Sequence, residues 1–457
     1  MKFRFHRKTQ SNVTPAIIAQ AKGQQLRSVP GSSDELHEVT VQGEKFMIPK
    51  RYKIEHLIGR GAYGVVAAAT DVTTGDAVAI KKNRNMFSKE GNQESGNGII
   101  VSKSRSCISQ LRILRELKVL QHVHRHPCIV SLLDLLMPED FDSFTDVYIV
   151  MELLDTNLRQ VLDSPVDLDD RQIKCLMFQL LHAIKYLHDS SILHRDIKPD
   201  NILINYNGQL KLCDLGLSRG CDFVEEELEP NYETTRLSNN YVQTRYYRAP
   251  ELILDSEKVG KAIDLWSVGC VFAEFYNHGE PIFKGENTRN QFTRIIDSVG
   301  TPPLESIHGS HLGVEFVMTL DYVEPNHDWL REMLTNHKFL DANALDLLSK
   351  LLEYDPIKRF TAEQALEHPF FDSVRTKMKV PVVDPVPFNV DYEQNIVVQD
   401  MKDVASYSRL VKMECFDSIM TYNENKQANQ WVTEQEVVQK KKAVKERLKG
   451  FFKRKSL

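Results

Sequence analysis

Two aspartates stand among apolar neighbours, where a carboxylate is costly unless it has a partner or a task. Asp196 lies in "ILHRDIKPDNILI", residues 192–204, with Lys198 two positions and Asn201 five positions further on. A carboxylate there can take the proton of an incoming hydroxyl. The lysine can neutralise a transferring phosphoryl group, and the asparagine carbonyl oxygen can hold a magnesium ion. Asp214 follows the apolar run of "LKLCDLGLSR", residues 210–219, with Gly216 allowing a sharp change of course. A carboxylate at that point can bridge magnesium to phosphates.

A second group lies upstream. "IGRGAYGVV" supplies Gly59, Gly61 and Gly64, and glycines let a backbone close over phosphates without Cβ clashes. The spacing alone also fits a plain hairpin turn or a dinucleotide-binding turn. The dinucleotide motif opens a helix, whereas "VVAAATDVTTGDAVAI" reads as strand, turn and strand. A dinucleotide-dependent oxidoreductase is set aside on that ground. Lys81, in "VAIKK", sits in an apolar strand and needs an anionic partner. Glu116 in "LRILRELKVL" is the natural carboxylate, with Glu90 and Glu94 as rivals in a loop-like run. Glu116 by itself also reads as an exposed helix carboxylate.

The elements that must position these residues follow from pattern. Residues 1–44 are polar and read mostly as a flexible arm, and residues 83–106, rich in Gly, Asn and Ser, read as a loop. Leu111, Ile113, Leu114, Leu117 and Leu120 fall on one face of a helix, and "DVYIVMEL" reads as a buried strand. Between Leu168 and His188 the apolar residues keep helical spacing, and helix dominates after about residue 190. The expected fold is α+β and bilobal, a small β-rich N-terminal lobe before a large helical C-terminal lobe. The expected boundaries are 45–154 for the first lobe and 155–372 for the second, with an insert at about 285–330. An extension at 373–420 and a basic tail at 421–457 follow.

Composition excludes several classes. The 457 residues are 42% hydrophobic and 26% charged with a formal net charge of -5, which points to neither nucleic acid nor an acidic substrate. The 7 cysteines are scattered without a Cys-x-x-Cys pair, against a disulfide framework or zinc site and in favour of a reducing compartment, cytoplasmic or also nuclear. No run approaches the ~18 apolar residues of a membrane span, and "MKFRFHRKTQ" lacks the apolar stretch of a secretory signal.

Taken in order, GxGxxG, Ala-Ile-Lys, Glu, His-Arg-Asp, Asp-x-Gly and Ala-Pro-Glu resemble the signature set of eukaryotic protein kinases over roughly residues 50–372. Lys198 in the catalytic loop resembles the Ser/Thr class. "VYIVMELLDTNLRQVL", "YVQTRYYRAPELIL" and "FKGENTRNQFTRIIDSVGTP" resemble the mitogen-activated protein (MAP) kinases. The resemblance implies transfer of the ATP γ-phosphoryl to Ser or Thr, followed by proline, on protein substrates. It implies ATP and Mg2+ as cofactors, and Met151 beside the adenine. It implies that the backbones of Glu152 and Leu154 meet the adenine edge, with Ile58, Val66, Ala79 and Leu203 around the ring. It implies a C-terminal extension wrapping back onto the first lobe.

Three features depart from that family. Asp-Leu-Gly replaces Asp-Phe-Gly, Lys81 and Glu116 are separated by an enlarged loop, and Asn239 stands where the family's loop threonine belongs. The implied switch is therefore phosphorylation of Tyr241, by an upstream kinase or by the protein itself. Arg245 and Arg248 would receive the phosphate, and Ser238 and Arg195 are the alternative pair. Arg248 would also meet the residue after the acceptor. Arg375, Lys377 and Lys379 make the stretch after "HPF" basic, which would favour acidic or apolar docking peptides over basic ones. Residues 437–457 read either as a basic amphipathic helix for an anionic membrane or a partner, or as a frayed solvated helix. A scaffold that keeps the fold without transfer is the alternative function; the presence of Lys81, Asp196, Asn201 and Asp214 argues against it.

Overall fold

The computed structural model describes residues 27–28, 35–61, 64–87, 103–123, 125–138, 141–165, 167–220, 245–256, 259–334, 339–389 and 404–427. The first short strand is β1 (Arg27–Ser28), and it pairs with β2 (Leu36–Val41), which forms a hairpin with β3 (Glu44–Pro49). The alternation of "HEVTV" and "KFMIP" about Gln42-Gly43 makes this hairpin, and both turn residues have positive φ, 50° and 83°. The expectation of a flexible arm through residue 44 is corrected here. Phe46 and Ile48 are fully buried, and their burial holds the hairpin on the lobe.

Five further strands form one antiparallel sheet: β4 (Tyr52–Arg60), β5 (Gly64–Asp71), β6 (Ala77–Asn83), β7 (Leu132–Leu135) and β8 (Val147–Glu152), in the order β4-β5-β6-β8-β7. The register sets Val66 opposite Lys81, Lys81 opposite Ile149, and Ala79 opposite Met151. Only glycine fits at the entry to β5, because a Cβ on Gly64 would lie 2.1 Å from the Lys82 carbonyl oxygen. Helix α1 (Lys103–Val123) packs its Leu111, Ile113, Leu114, Leu117 and Leu120 face into the core. It begins inside the run read as a loop over 83–106, and β6 extends to Asn83; residues 88–102 lie outside the described residues.

In the second lobe, α2 (Leu158–Leu162) precedes α3 (Asp170–Asp189), whose start is fixed by a capping box between Asp169 and Gln172. Helix α4 (Ala262–Glu274) is buried around its whole circumference and forms the centre of the lobe. Short ribbons, β9 (Thr156–Asn157), β11 (Ile202–Ile204) and β12 (Leu210–Leu212) in one and β10 (Ile192–Leu193) with β13 (Arg219–Gly220) in another, frame the segments that carry Asp196 and Asp214. Helices α5 (Thr288–Val299) and α6 (His311–Met318) close a small cluster with Leu254, Phe292, Ile296, Val317 and Tyr354. Among the described residues no helix is long and apolar enough to cross a membrane.

The last helix, α7 (Val404–Gln427), returns to the first lobe and runs past residue 420. Val411, Cys415, Ile419 and Tyr422, one stripe at helical spacing, are buried. Polar bonds fix its register on α1: Gln110 Nε2 donates to Ser408 Oγ at 2.9 Å, Gln121 Nε2 to Ser418 Oγ at 2.8 Å, and Lys118 pairs with Glu414 at 3.2 Å. Residues 428–457, and with them most of the basic tail, lie outside the described residues.

Candidate active site

The cleft between the lobes collects its charged groups from four separate segments. Strand β6 presents Lys81, α1 presents Glu116, and the turn after β12 presents Asp214. Lys81 Nζ is 2.5 Å from Glu116 Oε1 and 3.3 Å from Asp214 Oδ1. The sequence rivals Glu90 and Glu94 lie outside the described residues. Burial alone would discharge Lys81, but Glu116 and Asp214 outweigh it and raise its pKa. Burial raises Glu116 despite the lysine beside it. Asp214 is held below the ordinary carboxylate range, chiefly by the charge of Lys81. Its side chain is 43% exposed, against 3% for Glu116, so Asp214 is the member of the triad that faces the open cleft.

Asp214 sits in the left-handed region, φ 61° and ψ 71°, unusual for a side-chain-bearing residue. Gly216 follows, and a Cβ there would lie 3.6 Å from Asp214 Oδ1 and 3.7 Å from Glu116 Oε2. Leu215, between Asp214 and Gly216, is fully buried. Arg195 is also left-handed, with φ 69°. Its conformation is held by buried Asp264, whose carboxylate accepts the N–H of Arg195 and of His194 at 2.8 Å each, and faces His188 Nε2 at 2.9 Å. Backbone strain of this kind costs about 1–3 kcal/mol and persists because such bonds over-determine it.

One residue further, Asp196 is 7% exposed. Its Oδ2 accepts from Lys198 Nζ at 2.9 Å and from Asn201 Nδ2 at 3.0 Å, while Oδ1 carries neither bond. Burial raises the Asp196 pKa, and Lys198 opposes the rise. The second Asn201 donor bond goes to the Asp196 carbonyl at 2.8 Å. With Nδ2 committed, the amide oxygen of Asn201 is the atom it offers to a cation. Asn201 and Asp214 are an oxygen donor set suited to Mg2+, which takes one or two protein ligands plus substrate phosphates.

The remaining expected residues surround this centre. Gly59 and Gly61 flank the start of the loop after β4, and Gly61 N–H donates to Gly64 O at 2.9 Å. Ala79 is buried beside half-buried Met151; Val66 and Leu203 are half-buried; Ile58, near the end of β4, is 47% exposed. Glu152 donates its N–H to Ser131 O, and its carboxylate meets Lys211 Nζ at 2.6 Å. Leu154 follows it, half-buried. Arg248 borders a small cavity lined by Arg195, Asp196, Tyr247 and Ala249. Arg245 NH1 donates to Glu286 O at 3.1 Å. Ser238 and Tyr241 lie outside the described residues.

Comparison with known proteins then decides the family. The protein kinase domain family matches residues 52–371. This chain belongs to the protein kinases. Extracellular signal-regulated kinase 1 of Dictyostelium discoideum is 39% identical over 75% of this chain and 59% of its own length. Mitogen-activated protein kinase mpkA of Aspergillus fumigatus is 37% identical over 82% of both chains. A mitogen-activated protein kinase of Fusarium vanettenii is 35% identical over 79% of this chain and 94% of its own length. Within the protein kinases, the chain belongs to the MAP kinase group, and its enzyme class is serine/threonine protein kinase.

Two buried ion networks of this kinase escaped the sequence reading. Arg159 on α2 pairs with fully buried Glu274 on α4 at 2.9 Å, and burial pushes Glu274 up to about 7. Arg359 pairs with Glu251 at 2.7 Å within the core of the second lobe. Each joins residues more than a hundred positions apart, and only "RAPE" marked one partner of one pair.

Proposed function

We propose that this kinase transfers the γ-phosphoryl of ATP to Ser or Thr hydroxyls followed by proline in protein substrates. The observation that carries this reading is the Lys81–Glu116–Asp214 triad facing Asp196, Lys198 and Asn201 across one cleft. Asp196 Oδ1 receives the proton of the acceptor hydroxyl as its oxygen bonds to the γ-phosphorus and the bond to the β-phosphate oxygen breaks, releasing ADP. Lys198 stands by the transferring group and compensates its charge. Lys81, kept charged by Glu116, pairs the phosphates, and Gly59, Gly61 and Gly64 cover them. Asn201 and Asp214 would hold Mg2+, which neutralises phosphate charge when bound. The adenine lies among Ile58, Val66, Ala79, Met151 and Leu203, against the backbone of Glu152 and Leu154. Arg248, beside Asp196, meets the residue after the acceptor.

Regulation on this reading runs through Tyr241, phosphorylated by an upstream kinase or by the protein itself, with Arg245 and Arg248 as phosphate receivers. The implied location is the cytoplasm, with access to the nucleus. The basic tail adds contact with an anionic membrane or a partner. Mass spectrometry of the purified protein and a panel of peptides after incubation with Mg-ATP tests the proposal. Phosphate on Ser/Thr-Pro peptides is the expected result; no transfer to any peptide overturns it in favour of a nucleotide-binding scaffold.

A further inference from the structure

The middle residue of the first glycine pair, Arg60, stands between Gly59 and Gly61, and its guanidinium is tied to a separate element. Arg60 NH1 donates to Glu44 Oε1 at 2.7 Å, and Arg60 NH2 donates to the Gln42 carbonyl at 2.7 Å. Arg84, just beyond β6, donates to the same Glu44 oxygen at 3.0 Å. Asn83 is the register partner of Gly64, so Arg84 marks the far flank of the loop as Arg60 marks the near one. One carboxylate at the tip of the β2–β3 hairpin thus holds both sides of the phosphate loop.

The tip is able to brace because its base is anchored. Phe46 and Ile48 are buried in one cluster with Ile54, Val65, Val78, Ile80 and Val150. Tyr148 OH accepts the Met47 N–H at 3.0 Å, and Lys82 donates to the Lys45 carbonyl at 2.7 Å while pairing with Asp146 at 2.8 Å. The Glu44 side chain is only 12% exposed, against 50% for Arg60 and 36% for Arg84, so the carboxylate is the enclosed member of the trio.

We propose that the N-terminal hairpin braces the phosphate-binding loop, with Glu44 as a positioning residue that acts through Arg60 on nucleotide affinity. The proposal rests on the reading of Gly59–Gly64 as the ATP phosphate loop. Ion pairs at this exposure are individually weak, so the expected effect is about three- to tenfold, well short of abolition. It falls on the nucleotide and leaves the acceptor peptide alone.

The test uses the full chain and substitutions at the tip, because the buried base is needed for folding. Mg-ATP affinity is measured by calorimetric titration for wild type, Glu44→Gln, Arg60→Ala and the double variant, beside KM for ATP and for peptide. Each single variant should weaken Mg-ATP binding about three- to tenfold with peptide KM unchanged, and the double should be no worse than the more damaging single. The gap from wild type should narrow at high salt. Additive losses, unchanged affinity, or a drop in melting temperature alone overturns the brace. Wild-type binding of Mg-ATP, lost in Asp214→Ala, tests the underlying site separately. If wild type does not bind Mg-ATP, the site and the brace fall together.

Discussion

Asp196 is buried, its pKa is raised by that burial, and Lys198 is the main group that offsets it, with a smaller contribution from His194. The sign matters for both stability and rate. A carboxyl whose folded pKa lies above its unfolded value favours the folded state least once pH has risen through both. Asp196→Asn removes that cost and should leave the melting temperature at or slightly above wild type near neutral pH. As the proposed base, its loss should lower kcat by roughly 10²–10⁴, measured by steady-state transfer to a Ser-Pro peptide; undiminished turnover would remove the assignment. The same shift predicts that the acid limb of kcat/KM lies above the ordinary carboxylate range, since only the ionised form accepts a proton. In Lys198→Met the limb should move to still higher pH, because the opposing cation is gone; a limb that stays put excludes Asp196 as its source. These residues were legible because the chemistry is compressed into short strings. The pairing of Lys81 with Glu116 was legible only as one option among three. Its distance in sequence carries no geometry, and the helix that brings Glu116 under β6 had to be seen.

Elements were read well where one period ruled a long window. Helix α3 was expected over Leu168 to His188 and runs from Asp170 to Asp189, because an uninterrupted apolar face and a capping box agree. The β2–β3 hairpin was missed although "VQGE" between two alternating runs is a turn signal; the polar average of residues 1–44 hid it. The placement of α7 on α1 was implied by resemblance alone, since its buried stripe of Val411, Cys415, Ile419 and Tyr422 names no partner. That contact has a functional consequence, because α1 carries Glu116. Lys412 Nζ lies 4.6 Å from the ring centre of Phe144 and 5.2 Å from that of Phe141, beside Phe416. Ile419→Ala should cost about 2–5 kcal/mol of stability, read by denaturant unfolding. It should also lower kcat/KM, as α1 loses the helix behind it. Full stability with full activity would make α7 a passenger on the lobe.

At the scale of the molecule, the two lobes meet over one charged cleft, and Tyr241, the proposed switch, lies outside the described residues. Arg248 is half-buried beside Asp196, and its pKa is lowered first by that burial and then by the charge of Arg245. Among the described residues the buried Nε atoms of both guanidiniums have no hydrogen-bond partner. Two cations that disfavour each other at the mouth of the acceptor site are poised for an anion. Phosphotyrosine at 241 would supply about -1.5 to -2 charges and one to three charge-assisted bonds. At about 1.5–3 kcal/mol for a bond to a charged group, even one such bond is worth roughly 10- to 10²-fold in activity. Tyr241→Phe keeps the ring and removes the acceptor, so peptide phosphorylation by the activated enzyme should fall by about that factor, while Ser238→Ala stays mild. Equal damage from both variants would mean a paired switch shifted by one residue from the usual threonine position, with Arg195 as its clamp. A silent Tyr241→Phe would mean that the tyrosine only packs, and that Arg245 and Arg248 await the substrate itself.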